Sequence, residues 1–215
     1  MQETYRSGRA GEGVQVRRIN LFELDEDDRM VLERFWRRCR EEEGAFVRLE
    51  GFDYDDLLAL VSLGVVQGVR EGHVLSGADP FTGEGAKFRV PNIFRHLFSR
   101  SPYETVSIRK LDDLADALGV IGYLRDVKAP LRYAAFAVKL ILEARGRRRN
   151  VLTGGDVRAM AGEEAGVVIA LLKGMGLLAP HVDALSGEGP YYRVPEVLRR
   201  IRGDVVRVVE RELEA

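Results

Sequence analysis

The stretch Phe88-Arg89-Val90-Pro91-Asn92-Ile93-Phe94-Arg95 returns near the C-terminus as Tyr192-Arg193-Val194-Pro195-Glu196-Val197-Leu198-Arg199. Both copies carry an aromatic residue, arginine, valine and proline in that order. A glycine-rich, turn-prone stretch precedes each copy, and an apolar run ending at Gly64 or Gly176 precedes that stretch. Because the order of features is kept, the sequence predicts a duplicated structural unit.

Each copy has the pattern of a strand that leaves a turn and passes, at its proline, into a helix, since proline is favoured in the first helical turn. The rest of the chain is mostly amphipathic helix with short strands. We therefore predict a mainly helical α+β fold with small antiparallel β-hairpins. The predicted divisions are a flexible tail (1–12), a first unit (13–100), a connector with one helix (101–128) and a second unit (129–215).

The second unit shows the clearest helix pattern. Residues 131–145 have an apolar face, and Thr153 with Asp156 forms a capping-box signature for a short helix that follows. A further apolar helix is predicted over residues 163–174, and a continuous last helix over residues 195–214. In the first unit, the acidic run at residues 25–28 predicts a helix start, because carboxylates there complement the helix dipole.

The order helix, short helix, helix and two-stranded hairpin, with the Met175-Gly176-Leu177-Leu178 and Tyr191-Tyr192-Arg193-Val194-Pro195 segments, resembles the winged-helix module. The resemblance covers residues 129–215, and it covers residues 20–100 without a distinct second helix. It implies two winged helix-turn-helix units in tandem. Such modules most often bind DNA, with the third helix in the major groove and the hairpin on the backbone.

The exposed faces of the two third helices do not suit that docking mode. In the second unit the face comprises Glu163, Glu164, Gly166, Val167, Ala170 and Lys173. In the first it comprises Tyr54, Asp55, Asp56, Ala59 and Ser62. Carboxylates repel phosphates, whereas DNA binding depends on Lys and Arg. Docking through the third helices is therefore disfavoured in both units.

The densest basic segment lies between the repeats. Residues 125–149 hold eight Lys and Arg residues against Asp126 and Glu143. A loop at residues 146–149, placed before a capped helix, would offer phosphate both charge and a helix N-terminus; a solvated basic face is the alternative. We predict a nucleic-acid contact formed by Arg125, Lys128, Arg132, Arg145, Arg147, Arg148, Arg149 and Arg193.

Composition limits the classes of protein to which the chain could belong. The 215 residues are 46% apolar and 31% charged with a formal net charge of −1, as in soluble globular proteins. No apolar run approaches the roughly 18–20 residues that span a bilayer, and no signal-peptide core is seen, so we predict a cytoplasmic protein without membrane contact. Abundant arginine with only three Asn and three Gln is consistent with a thermophile.

Catalytic and metal-binding signatures are not found. The single cysteine, Cys39, has the helical spacing of a buried apolar residue. His73, His96 and His181 are scattered, without the spacing of metal ligands. We therefore expect no enzyme activity, no catalytic residue, no metal and no cofactor.

Two functions stay open. The first is a DNA-associated protein, in regulation or chromosome maintenance, that contacts duplex DNA through the basic residues. The second is a winged-helix scaffold for protein–protein interaction, whose partner is another protein or a second copy. The last helix approaches a heptad pattern suited to a homodimer, although packing against its own unit is favoured. An effector-binding regulator would require a pocket between the units.

Overall fold

The computed structural model describes residues 13–42, 44, 46–70, 73–74, 87–147, 151–181 and 190–213. Helices predominate in these ranges and three small antiparallel sheets accompany them, so the protein has the mainly helical α+β fold that the sequence predicts. The predicted tail (1–12) and the turn-prone stretches at 77–85 and 186–189 lie outside the described residues.

The helices are α1 (Glu26–Glu41), α2 (Tyr54–Leu63), α3 (Asn92–Phe98), α4 (Leu111–Ala117), α5 (Val120–Asp126), α6 (Tyr133–Arg145), α7 (Gly154–Ala161), α8 (Ala165–Met175), α9 (Glu196–Arg199) and α10 (Gly203–Leu213). Short 3-10 helices precede α1 (Arg18–Leu21) and α8 (Gly162–Glu164).

The strands are β1 (Val14–Arg17), β2 (Phe46–Val47), β3 (Gln67–Arg70), β4 (His73–Val74), β5 (Lys87–Arg89), β6 (Thr105–Ile108), β7 (Val151–Thr153), β8 (Ala179–His181) and β9 (Tyr191–Arg193). They form three sheets, with the orders β1-β6, β2-β5-β3-β4 and β7-β9-β8.

Side-chain caps fix where several helices begin. Asp25 caps α1 by accepting a hydrogen bond from a backbone N–H of the first turn, as the acidic run predicted. Helix α7 begins with the predicted capping box of Thr153 and Asp156. Helix α2 begins with a second capping box, formed by Asp53 and Asp56. These carboxylates stabilise helix termini and satisfy N–H groups that have no partner within the helix.

Each copy of the repeated stretch contains a strand, β5 or β9, that pairs with one strand on each side. Strand β5 lies between β2 and β3, and β9 lies between β7 and β8. The equivalent arginines, Arg89 and Arg193, each lie opposite the first residue of both neighbouring strands. The two sheets therefore share their order and their register, in agreement with a duplication.

The two copies also contact each other reciprocally. Gly176, with φ 82°, ends α8, and a β-carbon built there would lie 2.5 Å from the β-carbon of Pro91. Gly64, with φ 75°, ends α2, and a β-carbon built there would lie 3.0 Å from the α-carbon of Pro195. The helix end of each copy thus abuts the proline of the other, which relates the copies by a pseudo-two-fold axis.

The connector contains two helices rather than the one predicted. Gly119 separates α4 from α5, with φ 84° in the left-handed region. A β-carbon built there would lie 2.7 Å from the backbone nitrogen of Leu97, so only glycine fits between α5 and α3. The connector also contains strand β6, which pairs with β1.

The last helix is broken, contrary to the continuous helix predicted over residues 195–214. Ile201 forms an isolated antiparallel bridge with Phe22, and the backbone nitrogen of Arg202 donates to the carbonyl oxygen of Leu21 (2.9 Å). These bonds replace helical ones, so α9 ends at Arg199 and α10 begins at Gly203. The heptad pattern that suited a homodimer comprises Leu198, Ile201, Val205 and Val208, and the first three of these are buried within the protein.

One continuous core extends through both copies and the connector. It includes Trp36, whose indole nitrogen donates to the carbonyl oxygen of Arg100 (2.7 Å). Leu58 of α2, in contrast, is 38% exposed. Cys39 packs against the core as predicted, and burial raises the pKa of its thiol, which makes a reactive thiolate unfavourable.

Candidate functional site

The structure divides the predicted basic residues between the two ends of α6. Arg125, Lys128 and Arg132, here called the α5–α6 group, precede the helix. Arg145 lies in its last turn and Arg147 just beyond it. A helix of this length separates its ends by roughly 20 Å. The eight residues therefore do not form one patch, and Arg148 and Arg149 lie outside the described residues.

Within the α5–α6 group, Arg132 is engaged by a carboxylate. Its guanidinium lies 2.6 Å from Glu164 and stacks over the ring of Tyr133, with 5.0 Å to the ring centroid. The hydrogen bond from Arg132 is the main cause that lowers the pKa of Glu164. This exposed pair links the start of α6 to the start of α8 and neutralises the charge of Arg132.

Lys128 occupies a backbone position that suits glycine. It is the one described non-glycine residue with positive φ, at 54°. The backbone nitrogen of Ala129 donates to the carbonyl oxygen of Leu124 (2.9 Å), which closes the end of α5 around Lys128. The side chain is exposed, and no ion pair involves it among the described residues.

At the other end of α6, Arg147 forms two ion pairs, 2.8 Å from Glu143 and 2.8 Å from Asp156. Burial raises the pKa of Asp156, but hydrogen bonds from Thr153 and the charge of Arg147 outweigh it, so the pKa is lowered. Arg145 donates from Nε to the carbonyl oxygen of Arg199 (3.2 Å). Both arginines thus serve contacts within the protein.

Arg193 differs from these residues. It is exposed in β9, opposite Val151, and therefore lies on the same side of the molecule as the end of α6. No ion pair involves it in the part of the chain that the structure describes. Among the described residues, Arg193 thus has no carboxylate partner, whereas Arg132 and Arg147 do.

The exposed surface of α8 carries charge only at its ends. We define the α8 face by Glu163, Gly166, Val167, Ala170, Lys173 and Gly174, which are all exposed. Val167, near its centre, is 57% exposed. Of the residues predicted to face outward, all are exposed except Glu164, which is half-buried and pairs with Arg132. The surface between the end charges is apolar and small.

The chain that links α5 to α6 runs beside the α8 face. A β-carbon built at Gly174 would lie 2.7 Å from the hydroxyl oxygen of Tyr123, at one end of the face. The Arg132–Glu164 pair fixes the other end. Between these two anchors the linking chain exposes Val127 (45%) and Leu131 (47%). These two side chains extend the apolar surface beyond the helix.

The exposed surface of α2 is different. Its first turn carries Asp55 and Tyr54, the latter 55% exposed, and no basic residue lies in its last turn. Arg34 of α1 pairs with Asp56. The predicted acidic character of this helix is therefore present, partly neutralised by α1.

A cleft of about 420 Å³ lies between the first unit and the connector, and residues of β6, α4 and α5 line it. The buried Arg18 lines it, and donates to Glu104 (3.0 Å) and to the carbonyl oxygen of Ala117 (2.7 Å). Arg100 pairs with Asp116 in the same cleft. Its charges are thus largely paired with each other, and the cleft does not lie between the two units, where an effector-binding regulator would require its pocket.

His96 packs between α3 and α5, with Nε2 at 3.4 Å from Asp126. Burial lowers its pKa, although the charge of Asp126 opposes this. Among the described residues, no group of three or more His, Cys, Asp and Glu is arranged to hold a metal ion. Nor, in those residues, is any helix long and apolar enough to cross a membrane.

Comparisons with family models, with curated proteins and with solved structures find no match to this chain. The features that sequence reasoning missed are the ion pairs of Arg132 and Arg147 and the exposure of Val127 and Leu131. Glu164 and Asp156 come from other elements, which charge spacing does not reveal, whereas Glu143 lies four residues before Arg147 at a spacing that the sequence shows. The exposure of Val127 and Leu131 had a weak signal in the sequence, because both apolar residues flank the Ala129-Pro130 turn.

Proposed function

We propose that this chain is a non-catalytic macromolecule-binding protein, built of two winged-helix-like units, that acts as a scaffold for protein–protein contacts. The matching sheet orders β2-β5-β3 and β7-β9-β8 support the winged-helix resemblance, as does the helix that ends in a left-handed glycine directly before β3 and before β8. In this arrangement α2 and α8 occupy the position of the third helix.

The surface of α8 is the observation that favours a protein partner over DNA. Its N-terminal end presents Glu163, and its centre presents the exposed Val167. A helix that enters the major groove needs polar and basic side chains at these positions. Exposed apolar side chains instead favour contact with another protein.

The second candidate is association with duplex DNA, and Arg193 favours it. This residue is exposed and has no ion pair in the described part of the chain. It lies near the end of α6, where Arg147 is partly exposed. A contact to phosphate there would position DNA against the β7-β9-β8 sheet rather than against α8.

The two candidates are separated by titrating a short labelled duplex with the full chain over a series of salt concentrations. A scaffold that does not bind DNA shows little binding and little dependence on salt. Affinity that falls steeply with salt, and that drops in an Arg193→Ala variant, would overturn the proposal, because phosphate contacts release counterions. The Lys139→Ala variant, which removes an exposed charge from the middle of α6, is the matched control.

A further inference from the structure

We propose that the α8 face is a self-association surface, through which two copies of this chain pair with their α8 helices antiparallel about a two-fold axis. The inference rests on the proposed protein-binding role and names its partner as a second copy. In a two-fold interface the same surface is used on both copies, so it must be complementary to itself.

The charges of the α8 face meet that requirement. Glu163 lies at one end and Lys173 at the other, and neither has an ion pair among the described residues. When two such helices run antiparallel, Glu163 of each copy lies opposite Lys173 of its partner. The pairing places two opposite-charge contacts at the rims of the interface, where they select the orientation more than they add affinity.

The centre of the face suits close approach of two helices. With Glu163 opposite the partner's Lys173, Gly166 comes opposite the partner's Ala170. Small side chains there permit the interaxial distance of roughly 8–10 Å that is usual for packed helices. Val167, which is 57% exposed, then packs beside the axis and is removed from water.

The neighbouring chain enlarges this surface. Val127 and Leu131 stand beside α8, between the contact of Tyr123 with Gly174 and the Arg132–Glu164 pair. They offer apolar area to the flank of the partner's helix. Arg132 already pairs with Glu164 within its own chain, so it does not disturb the charge pattern of the face.

The exposed surface of α2 is not complementary to itself in this way, although α2 holds the equivalent position in the first copy. Its exposed residues include Tyr54, Asp55 and Leu58, with an acidic first turn and no basic residue in its last turn. Two such faces brought together antiparallel would have no opposite charges to align. The structure therefore assigns self-association to α8 and not to α2.

The test is sedimentation equilibrium of the full chain over a range of micromolar concentrations. The wild-type protein is expected to form a dimer and nothing larger. Val167→Glu places a carboxylate at the centre of the interface, and should weaken dimerisation by at least about tenfold. Leu58→Glu, the matched change on α2, should leave the dimer unchanged.

Charge reversal gives a test that loss of folding cannot mimic. Glu163→Lys and Lys173→Glu should each weaken the homodimer. An equimolar mixture of the two variants should form a heterodimer, since both rim contacts are then of opposite sign. Circular dichroism of each variant establishes that it is folded.

Several results would overturn the inference. They are a wild-type protein that is monomeric at all these concentrations, a dimer insensitive to Val167→Glu, and a mixture of charge variants that stays monomeric. A monomer that also fails to bind DNA would remove the dimer and leave the scaffold proposal standing. Salt-sensitive DNA binding would remove the scaffold proposal, and sedimentation without DNA would still decide the dimer.

Discussion

Gly176 lies against Pro91 so closely that a β-carbon on the glycine would sit 2.5 Å from that of the proline. Pro91 belongs to the first copy of the repeated stretch and Gly176 to the helix end of the second. The contact therefore limits how closely the two copies approach. Gly64 of the first copy makes the equivalent contact with Pro195 of the second.

We expect Gly176→Ala to destabilise the protein by roughly 2–4 kcal/mol. About 1–2 kcal/mol comes from the left-handed backbone and the rest from overpacking against Pro91. Gly51→Ala is the control, because Gly51 also has a left-handed φ of 85° but no atom within 4 Å of its β-carbon position. Urea unfolding monitored by fluorescence of the buried Trp36 provides both values. Equal losses in the two variants would show that the contact with Pro91 contributes nothing.

Lys128→Gly should stabilise the protein, by about 0.5–1 kcal/mol. Lys128 holds a φ of 54°, which costs a side chain more than it costs glycine. Lys128→Ala removes the same charge without relieving the backbone, so it should leave the unfolding midpoint almost unchanged. The same measurement compares the three proteins, and a gain in both variants would trace the effect to charge instead.

Stability should fall as the pH is lowered through the range in which histidine titrates. Burial lowers the pKa of His96 below its usual 6.5, so the unfolded chain binds this proton more readily than the folded protein. The destabilisation begins near pH 6.5 and grows until the pH reaches the lowered pKa. His96→Gln should flatten the profile of unfolding free energy in this window. Asp126 is the carboxylate that faces His96, so Asp126→Asn should steepen the decline.

Thr153→Ala should cost about 1 kcal/mol, because the hydroxyl of Thr153 caps α7. Thr153→Ser retains the hydroxyl and should recover most of the loss. The substitution to alanine also removes a hydrogen bond that lowers the pKa of Asp156. The deficit relative to wild type should therefore shrink once the pH falls below the pKa of that carboxyl, which a pH series of unfolding curves would reveal.

Local signals predicted much of the fold. The repeated stretch predicted the two equivalent central strands, and the Thr153–Asp156 spacing predicted the capping box. The second helix of the connector was not predicted, since a glycine is typical of a helix end and yet α5 begins immediately beyond Gly119. Its role depends on the backbone of α3, which approaches it from elsewhere in the chain.

The basic site was less predictable, because basic residues that are close in the sequence lie far apart in the structure. Helix α6 separates Arg132 from Arg147, and Glu164 and Asp156 reach them from other elements. The break at Ile201 has a similar origin, since Phe22, its bridge partner, lies at the far end of the chain. Long-range pairing of this kind overrides the helical periodicity that predicted a continuous last helix.

The bridge between Phe22 and Ile201 also sets an order of events during synthesis. Phe22 leaves the ribosome long before Ile201, its bridge partner, is made. Until then Phe22, which is buried in the finished protein, has no completed surface to pack against. The nascent chain must therefore expose an apolar segment until Ile201 has been made, and during this interval it is most open to chaperones and to misassociation.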